Sequence, residues 1–268
     1  MSLLETYNVD KVPIYVLRAD LLSDRPAHGK CIGMKRLCYW FKKDGYSQVV
    51  WHSDSVSNLC LGVTRAALDN LMQPIITYME TKKGVPRAVS ESQKLGAKLI
   101  PLRHNVYPVL LAQSRNIARN MHAAFVEYGG DHEEVLDAIS QFYAEFAPRN
   151  IATLVLSSGS TVTMRGISRR INISRPHIIS ISSGTSLKTQ ESALRGLKWL
   201  SVSYTLIPPL MKHSEPDLSY CPFPSNQYWD RKAWRWLTTH IQELTPPVLF
   251  YNTGGYYFGE TEDVLAYG

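Results

Sequence analysis

The sequence predicts an α/β protein, parallel sheets covered by helices and arranged as two interleaved domains. Three observations carry that expectation. Short β-branched runs alternate with longer amphipathic stretches along the chain. Two of the longer stretches carry helix punctuation: PRAVSESQKLG (86–96) opens on Pro and closes on Gly, and HEEVLDAISQFYAEF (132–146) places acids in its first turn. There is also no internal repeat, low-complexity segment or obvious linker to divide the chain in a simpler way. Strand–helix alternation of this kind buries a parallel sheet under helices on both faces.

The elements follow in order. Residues 13–18 (VPIYVL) read as a strand and 34–43 (MKRLCYWFKK) as the start of a helix. A strand at 47–52 precedes a helix over 57–72, and a strand at 74–79 precedes the helix at 86–96. A strand at 97–102 leads into a helix around 109–122 and then the helix at 132–146. Further strands are read at 152–158, 177–182, 203–208 and 247–252, separated by helical segments near 161–171, 187–199 and 228–244. The expected division is a smaller domain over 37–148, inserted into a larger one built from 1–36 and 149–268. In such sheets ligands sit at the carboxyl ends of the strands.

Composition bounds the partners. With 268 residues, 44% hydrophobic and 19% charged, the chain can bury a substantial core. No apolar run is long enough to span a membrane, and residues 1–16 lack the pattern of a secretory signal. Cys31, Cys38, Cys60 and Cys221 form no CxxC pair, which disfavours structural zinc and a disulfide framework, and a reducing cytoplasm is the default. A net charge of +6 is that of a solvated surface, although Arg165, Arg169, Arg170 and Arg175 cluster, as do Arg231, Lys232 and Arg235.

Four segments could carry chemistry. SSGSTVTMRG (157–166) follows a strand and opens a helix; its small residues and hydroxyls suit an anion, or equally a plain helix cap. It lacks the Lys of a P-loop and the spacing of GxGxxG. GMKRLCYW (33–40) sets Lys35 at a helix start, where lysines are ordinarily solvated. DSVSN (54–58) is a polar cluster between strand and helix, with N-capping by Ser55 or Ser57 as its plain reading. VLFYNTGGYYFG (248–259) runs a strand into a tight turn.

Taken in order, these motifs resemble the fold type II pyridoxal-phosphate enzymes, and within them the D-cysteine desulfhydrase and aminocyclopropanecarboxylate deaminase branch. The family's R-D-D is matched by Arg18-Ala19-Asp20, and its G-N-K-x-R-K-L by Gly33-Met34-Lys35-Arg36-Leu37. Its Q-S-N-H appears as Val56-Ser57-Asn58-Leu59, and its G-S-G-G-T as Ser157-Ser158-Gly159-Ser160-Thr161. P-V-Y-x-G-K-A resembles Gln227 to Ala233 with one extra residue, and L-F-x-H-T-G-G resembles Leu249 to Gly255.

The resemblance implies pyridoxal 5'-phosphate as cofactor, with Lys35 forming the Schiff base. It implies Asn58 beside the ring, Ser158, Gly159, Ser160 and Thr161 around the phosphate, Thr253 near the ring nitrogen, and Ser57 and Tyr228 facing the substrate. A bound substrate amino acid would lose a bond at Cα or Cβ, as in a deaminase or desulfhydrase-type lyase, and family members are commonly homodimers. The departures alter specificity: Leu59 replaces the motif His, and the deaminase's acidic position would fall at Trp229. Compact, divergent proteins of this look also occur in bacteriophage clusters that hypermodify thymidine. That opens a second reading, decarboxylation of an amino acid attached to thymine in DNA, with Arg165, Arg169, Arg231 or Arg235 on phosphates. A third is a non-catalytic binding protein on a decayed enzyme scaffold.

Overall fold

The computed structural model describes residues 2–22, 31, 33–53, 57, 59–80, 82, 84–103, 106–169, 176–195 and 202–254. By contact the chain divides into two units, Met1–Gly29 with Leu136–Gly268, and Lys30–Val135. These boundaries lie a helix away from the expected ones. The helix α1 (Met34–Lys43) packs on α2 (Leu59–Asp69) and belongs wholly to the second unit. Most of α5 (Glu133–Phe146) belongs to the first, where Leu136 and Ile139 lie so close to Gly166 that a β-carbon there would collide with Ile139.

The first unit holds a six-stranded sheet in the order β1-β2-β10-β7-β8-β9. Its strands are β1 (Leu4–Val9), β2 (Val12–Arg18), β7 (Thr153–Ser158), β8 (His177–Ser182), β9 (Tyr204–Ile207) and β10 (Val248–Asn252). All neighbours are parallel except β1 with β2. That hairpin turns on Asp10 and Lys11, both left-handed at φ 48° and 69°, the geometry of a two-residue hairpin loop. The helices α6 (Val162–Ser168), α7 (Leu187–Arg195) and α8 (Asp230–His240) follow or cross between these strands. Ile14, Val155, Ile181, Phe223, Trp234 and Phe250 share one core cluster, with ring centroids 4.8 Å apart for Phe223–Trp234 and 5.3 Å for Trp234–Phe250. Each such side chain stabilises the fold by about 1.5–3 kcal/mol through burial.

The second unit holds an all-parallel sheet in the order β5-β4-β3-β6. Its strands are β3 (Gln48–Ser53), β4 (Gln73–Met79), β5 (Lys98–Leu102) and β6 (Ala124–Val126), with α3 (Arg87–Lys94) and α4 (Tyr107–Asn120) joining α1 and α2. His132 accepts the Glu127 backbone N–H on Nε2 at 3.0 Å and meets the Phe41 ring edge-on. Burial holds its pKa below the ordinary imidazole value, against the pull of the Glu127, Glu134 and Asp131 carboxylates. The unfolded chain therefore takes up this proton first. Stability is full above about pH 6.5 and falls as pH drops through that value toward the lowered folded pKa. Urea unfolding at about pH 7.5 and about pH 5.5 should reveal this loss, and His132→Gln, which keeps an acceptor, should shrink it.

No helix among the described residues is long and apolar enough to cross a membrane.

Candidate active site

The carboxyl ends of the parallel strands in the first unit end on polar groups: Arg18 on β2, Asn252 on β10, Ser157 and Ser158 on β7, Ser182 on β8. Register aligns them, with Asn252 opposite Arg18 and Ser158 opposite Ser182. At one side, Arg18 pairs with Glu5 at 2.8 Å and grips Asp20 through two nitrogens at 2.9 and 2.8 Å. Asn252 donates to Asp20 at 2.8 Å, so the buried Arg18–Asp20 pair ties the end of β10 to the end of β2.

Where β7 ends, the chain is held firmly. The Ser158 carbonyl accepts from the Ser183 backbone N–H at 3.0 Å, the Ser183 hydroxyl at 3.2 Å and the Gln190 amide at 3.3 Å. The Ser158 hydroxyl is buried and has no hydrogen-bond partner among the described residues. An unpaired buried hydroxyl costs about 1–3 kcal/mol unless something fills its need. Gly159 follows, packed so that a β-carbon would come within 2.8 Å of the Trp229 ring. Thr161 then adopts φ 63°, ψ −2°, a left-handed conformation that a β-branched residue rarely accepts. Strain of this kind persists where the surroundings impose it, commonly at ligand clamps. The Thr161 hydroxyl donates to the Ser160 carbonyl at 2.6 Å, whereas the Ser158 hydroxyl has no partner among the described residues.

Opposite stands a buried carboxylate. Asp230, 0% exposed at the start of α8, accepts from the Ser157 hydroxyl at 2.7 Å and from Thr253 at 2.9 and 3.1 Å. A β-carbon on Gly254 would collide with that carboxylate and with Asn226. Burial, aided by the charge of Asp230, pushes the Tyr251 phenol well above its ordinary pKa. Sequence reasoning missed Asp230 because the extra residue allowed between Gln227 and Ala233 moved the acidic position to Trp229. Matching Lys232-Ala233 to the motif without a gap puts the acid at 230 and the motif aromatic at Trp229. Trp229 is buried against Gly159 and meets the His213 ring edge-on at 4.9 Å. Tyr228, assigned to the substrate, is half-buried, with its backbone N–H donating to Asn226 at 2.8 Å.

In the second unit, Ser57 is buried with its hydroxyl accepting the Leu59 backbone N–H at 3.3 Å, which is the capping role. Asn58 lies outside the described residues. Lys35, expected to form the Schiff base, lies on the exposed face of α1. Its side chain is 72% exposed and pairs at 3.2 Å with Asp69, itself 55% exposed. Among the basic residues, Arg231 is buried with Nε donating to Ser225 at 3.3 Å, and Arg169 pairs with Asp137 at 2.9 Å. Among the described residues no cluster of His, Cys, Asp and Glu could hold a metal ion.

Similarity to known proteins is confined to structure. No protein-family model matches the sequence, and no curated protein matches it. Among solved structures, a homologue of ACC deaminase superposes with a TM-score of 0.77 at 16% identity, covering 95% of this chain and 89% of that one. The processed form of threonine deaminase isoform 2 from Solanum lycopersicum gives 0.71 at 11% identity, covering 98% and 87%. A pyridoxal 5'-phosphate-dependent aspartate racemase gives 0.70 at 11% identity, covering 95% and 90%. The chain has the fold of these enzymes, parallel sheets covered by helices, as expected from its sequence.

Proposed function

We propose that this chain is a pyridoxal-phosphate enzyme of lyase type that acts on a free amino acid. The observation that carries the reading is the buried Asp230–Thr253 pair beside a strand-end turn whose buried Ser158 hydroxyl has no partner among the described residues. Support also comes from the fold, which deaminases and a racemase share, so the fold alone does not select the bond broken.

The residues of the first unit fit the phosphate and the ring nitrogen of the cofactor. Ser158 offers a hydroxyl with no other use, and Gly159 leaves the space that a side chain would fill. Thr253 already donates its only proton to Asp230, so it presents lone pairs alone to whatever else it meets. A ring nitrogen there has to carry the proton, and the Asp230 charge stands one hydroxyl away to favour it. When bound, pyridoxal phosphate supplies the electron sink; the protein supplies orientation and tuning. Of the arginines expected on DNA phosphates in the alternative reading, Arg231 is buried, Arg169 is engaged with Asp137, Arg165 is half-buried and Arg235 is exposed.

Ser158→Ala tests the phosphate assignment. A hydrogen bond to a charged acceptor contributes about 1.5–3 kcal/mol, so cofactor affinity should fall roughly ten- to a hundredfold. Folding stability of the ligand-free protein should hold or rise, because an unsatisfied buried hydroxyl has been removed. Equilibrium dialysis with pyridoxal phosphate and urea unfolding measure the two quantities. Unchanged affinity would move the phosphate elsewhere.

A further inference from the structure

The loop at 212–217 has no regular structure of its own, yet α8 holds it firmly. The buried Lys232 donates its Nζ to the Lys212 carbonyl at 2.8 Å, and the buried Asp217 lends negative charge nearby. The Asp217 backbone N–H donates in turn to the Gln227 carbonyl at 2.9 Å. Lysine is almost never fully buried unless paired, so these partners account for its place here.

The brace sets the position of His213. Its Nδ1 lies 2.8 Å from the Ser183 carbonyl. A carbonyl only accepts, so Nδ1 carries the proton and donates. Room for the ring comes from Gly184, at a φ of 138° that side chains rarely accept, where a β-carbon would stand 2.4 Å from the His213 β-carbon. The ring also meets Trp229 edge-on, and Trp229 closes over Gly159.

Ser183 is where this brace reaches the strand-end turn. Its backbone N–H and its hydroxyl donate to the Ser158 carbonyl at 3.0 and 3.2 Å. A trans peptide is planar, with its C=O and N–H pointing opposite ways. Holding the Ser158 carbonyl toward the end of β8 therefore turns the Gly159 N–H away from β8. A backbone N–H fixed in direction is what an anion-binding turn offers.

Accepting the reading above, in which the phosphate of pyridoxal phosphate lies on the turn after β7, we propose that His213 is a positioning residue for that turn. Its Nδ1 proton fixes the Ser183 peptide, Ser183 fixes the Ser158 carbonyl, and the Gly159 N–H is held ready for the phosphate. The preference for a phosphorylated ligand then depends on a histidine outside the turn itself.

Two substitutions separate the proton from the ring. His213→Phe keeps a flat ring against Trp229 and removes the donor. His213→Asn gives up the ring and sets an amide N–H close to where Nδ1 stands. Loss of one neutral hydrogen bond should weaken pyridoxal phosphate roughly three- to tenfold in His213→Phe, with His213→Asn within about twofold of the native protein. Pyridoxal, which lacks the phosphate, should bind all three proteins alike. Equilibrium dialysis of the full-length protein with each compound measures these affinities. The reverse order, with His213→Asn impaired and His213→Phe intact, would make His213 a packing residue and overturn the inference. Equal losses for pyridoxal and pyridoxal phosphate, no loss for either, or failure of His213→Phe to fold would overturn it too. Ser158→Ala, run in parallel, reports on the phosphate reading itself: if it weakens pyridoxal phosphate and His213→Phe does not, only the positioning role falls. Binding of neither compound to the native protein would overturn both.

Discussion

Asp230→Asn should leave a folded protein that has lost most of its turnover. The substitution keeps the shape of the group that accepts from Ser157 and Thr253 and removes its charge. Hydrogen bonds to a charged acceptor contribute about 1.5–3 kcal/mol each against roughly 0.5–1.5 for neutral ones, so stability should drop by about 1–3 kcal/mol. Turnover should fall on the order of a hundredfold, the usual cost of losing one preorganised electrostatic contact. Asp230→Ala is harsher, since two buried hydroxyls lose their acceptor together. Urea unfolding and product formation from an amino-acid mixture give the two readouts. Full turnover in Asp230→Asn would separate the carboxylate from the ring and sink its proposed role.

Gly254→Ala should act on the same carboxylate from the backbone side. A methyl group there collides with Asp230 and with Asn226, both held by hydrogen bonds and unable to move cheaply. Overpacking of this kind costs about 1–3 kcal/mol, and the displaced carboxylate adds a loss of turnover. The mechanism is separable by a double-mutant cycle. Adding Asp230→Ala should relieve part of the collision, so the two costs should sum to more than the double variant loses. Strict additivity would assign the damage to Asn226 instead.

Much of the fold was legible because its elements are long and periodic. The strands at 13–18, 177–182 and 247–252 and the helix at 132–146 stand within a residue or so of their expected places. Two strands were not read. β1 is half-exposed, and its turn is Asp10-Lys11, which lacks the Asn-Gly or Asp-Gly signal of a two-residue hairpin. β6 spans only Ala124–Val126, too short for a period to register.

In the candidate site, letters place the strand-end residues directly and leave the facing of the helix residues open. Ser158 ends β7 and Thr253 follows β10 directly, so letters and element placement coincide there. At α1 the letters Gly-x-Lys matched, yet the apolar positions Met34, Leu37 and Cys38 fix which way the helix faces. At α8 a single supposed insertion moved the acid by one residue. A shift of one position turns a helix side chain by about 100°.

The interleaving of the chain has a bearing on its synthesis. The segment Lys30–Val135 is continuous and can complete its own sheet as soon as it has emerged. β2 has only its hairpin partner β1 on one side; its other neighbour, β10, is the last strand made among the described residues. At translation rates of about 5–20 residues per second, β2 waits roughly ten to fifty seconds with an open, apolar edge. Throughout that interval a nascent chain carries one finished body and one sheet missing its central strand. Its hazard of mispairing is set by the ribosome's pace rather than by the stability of the finished protein.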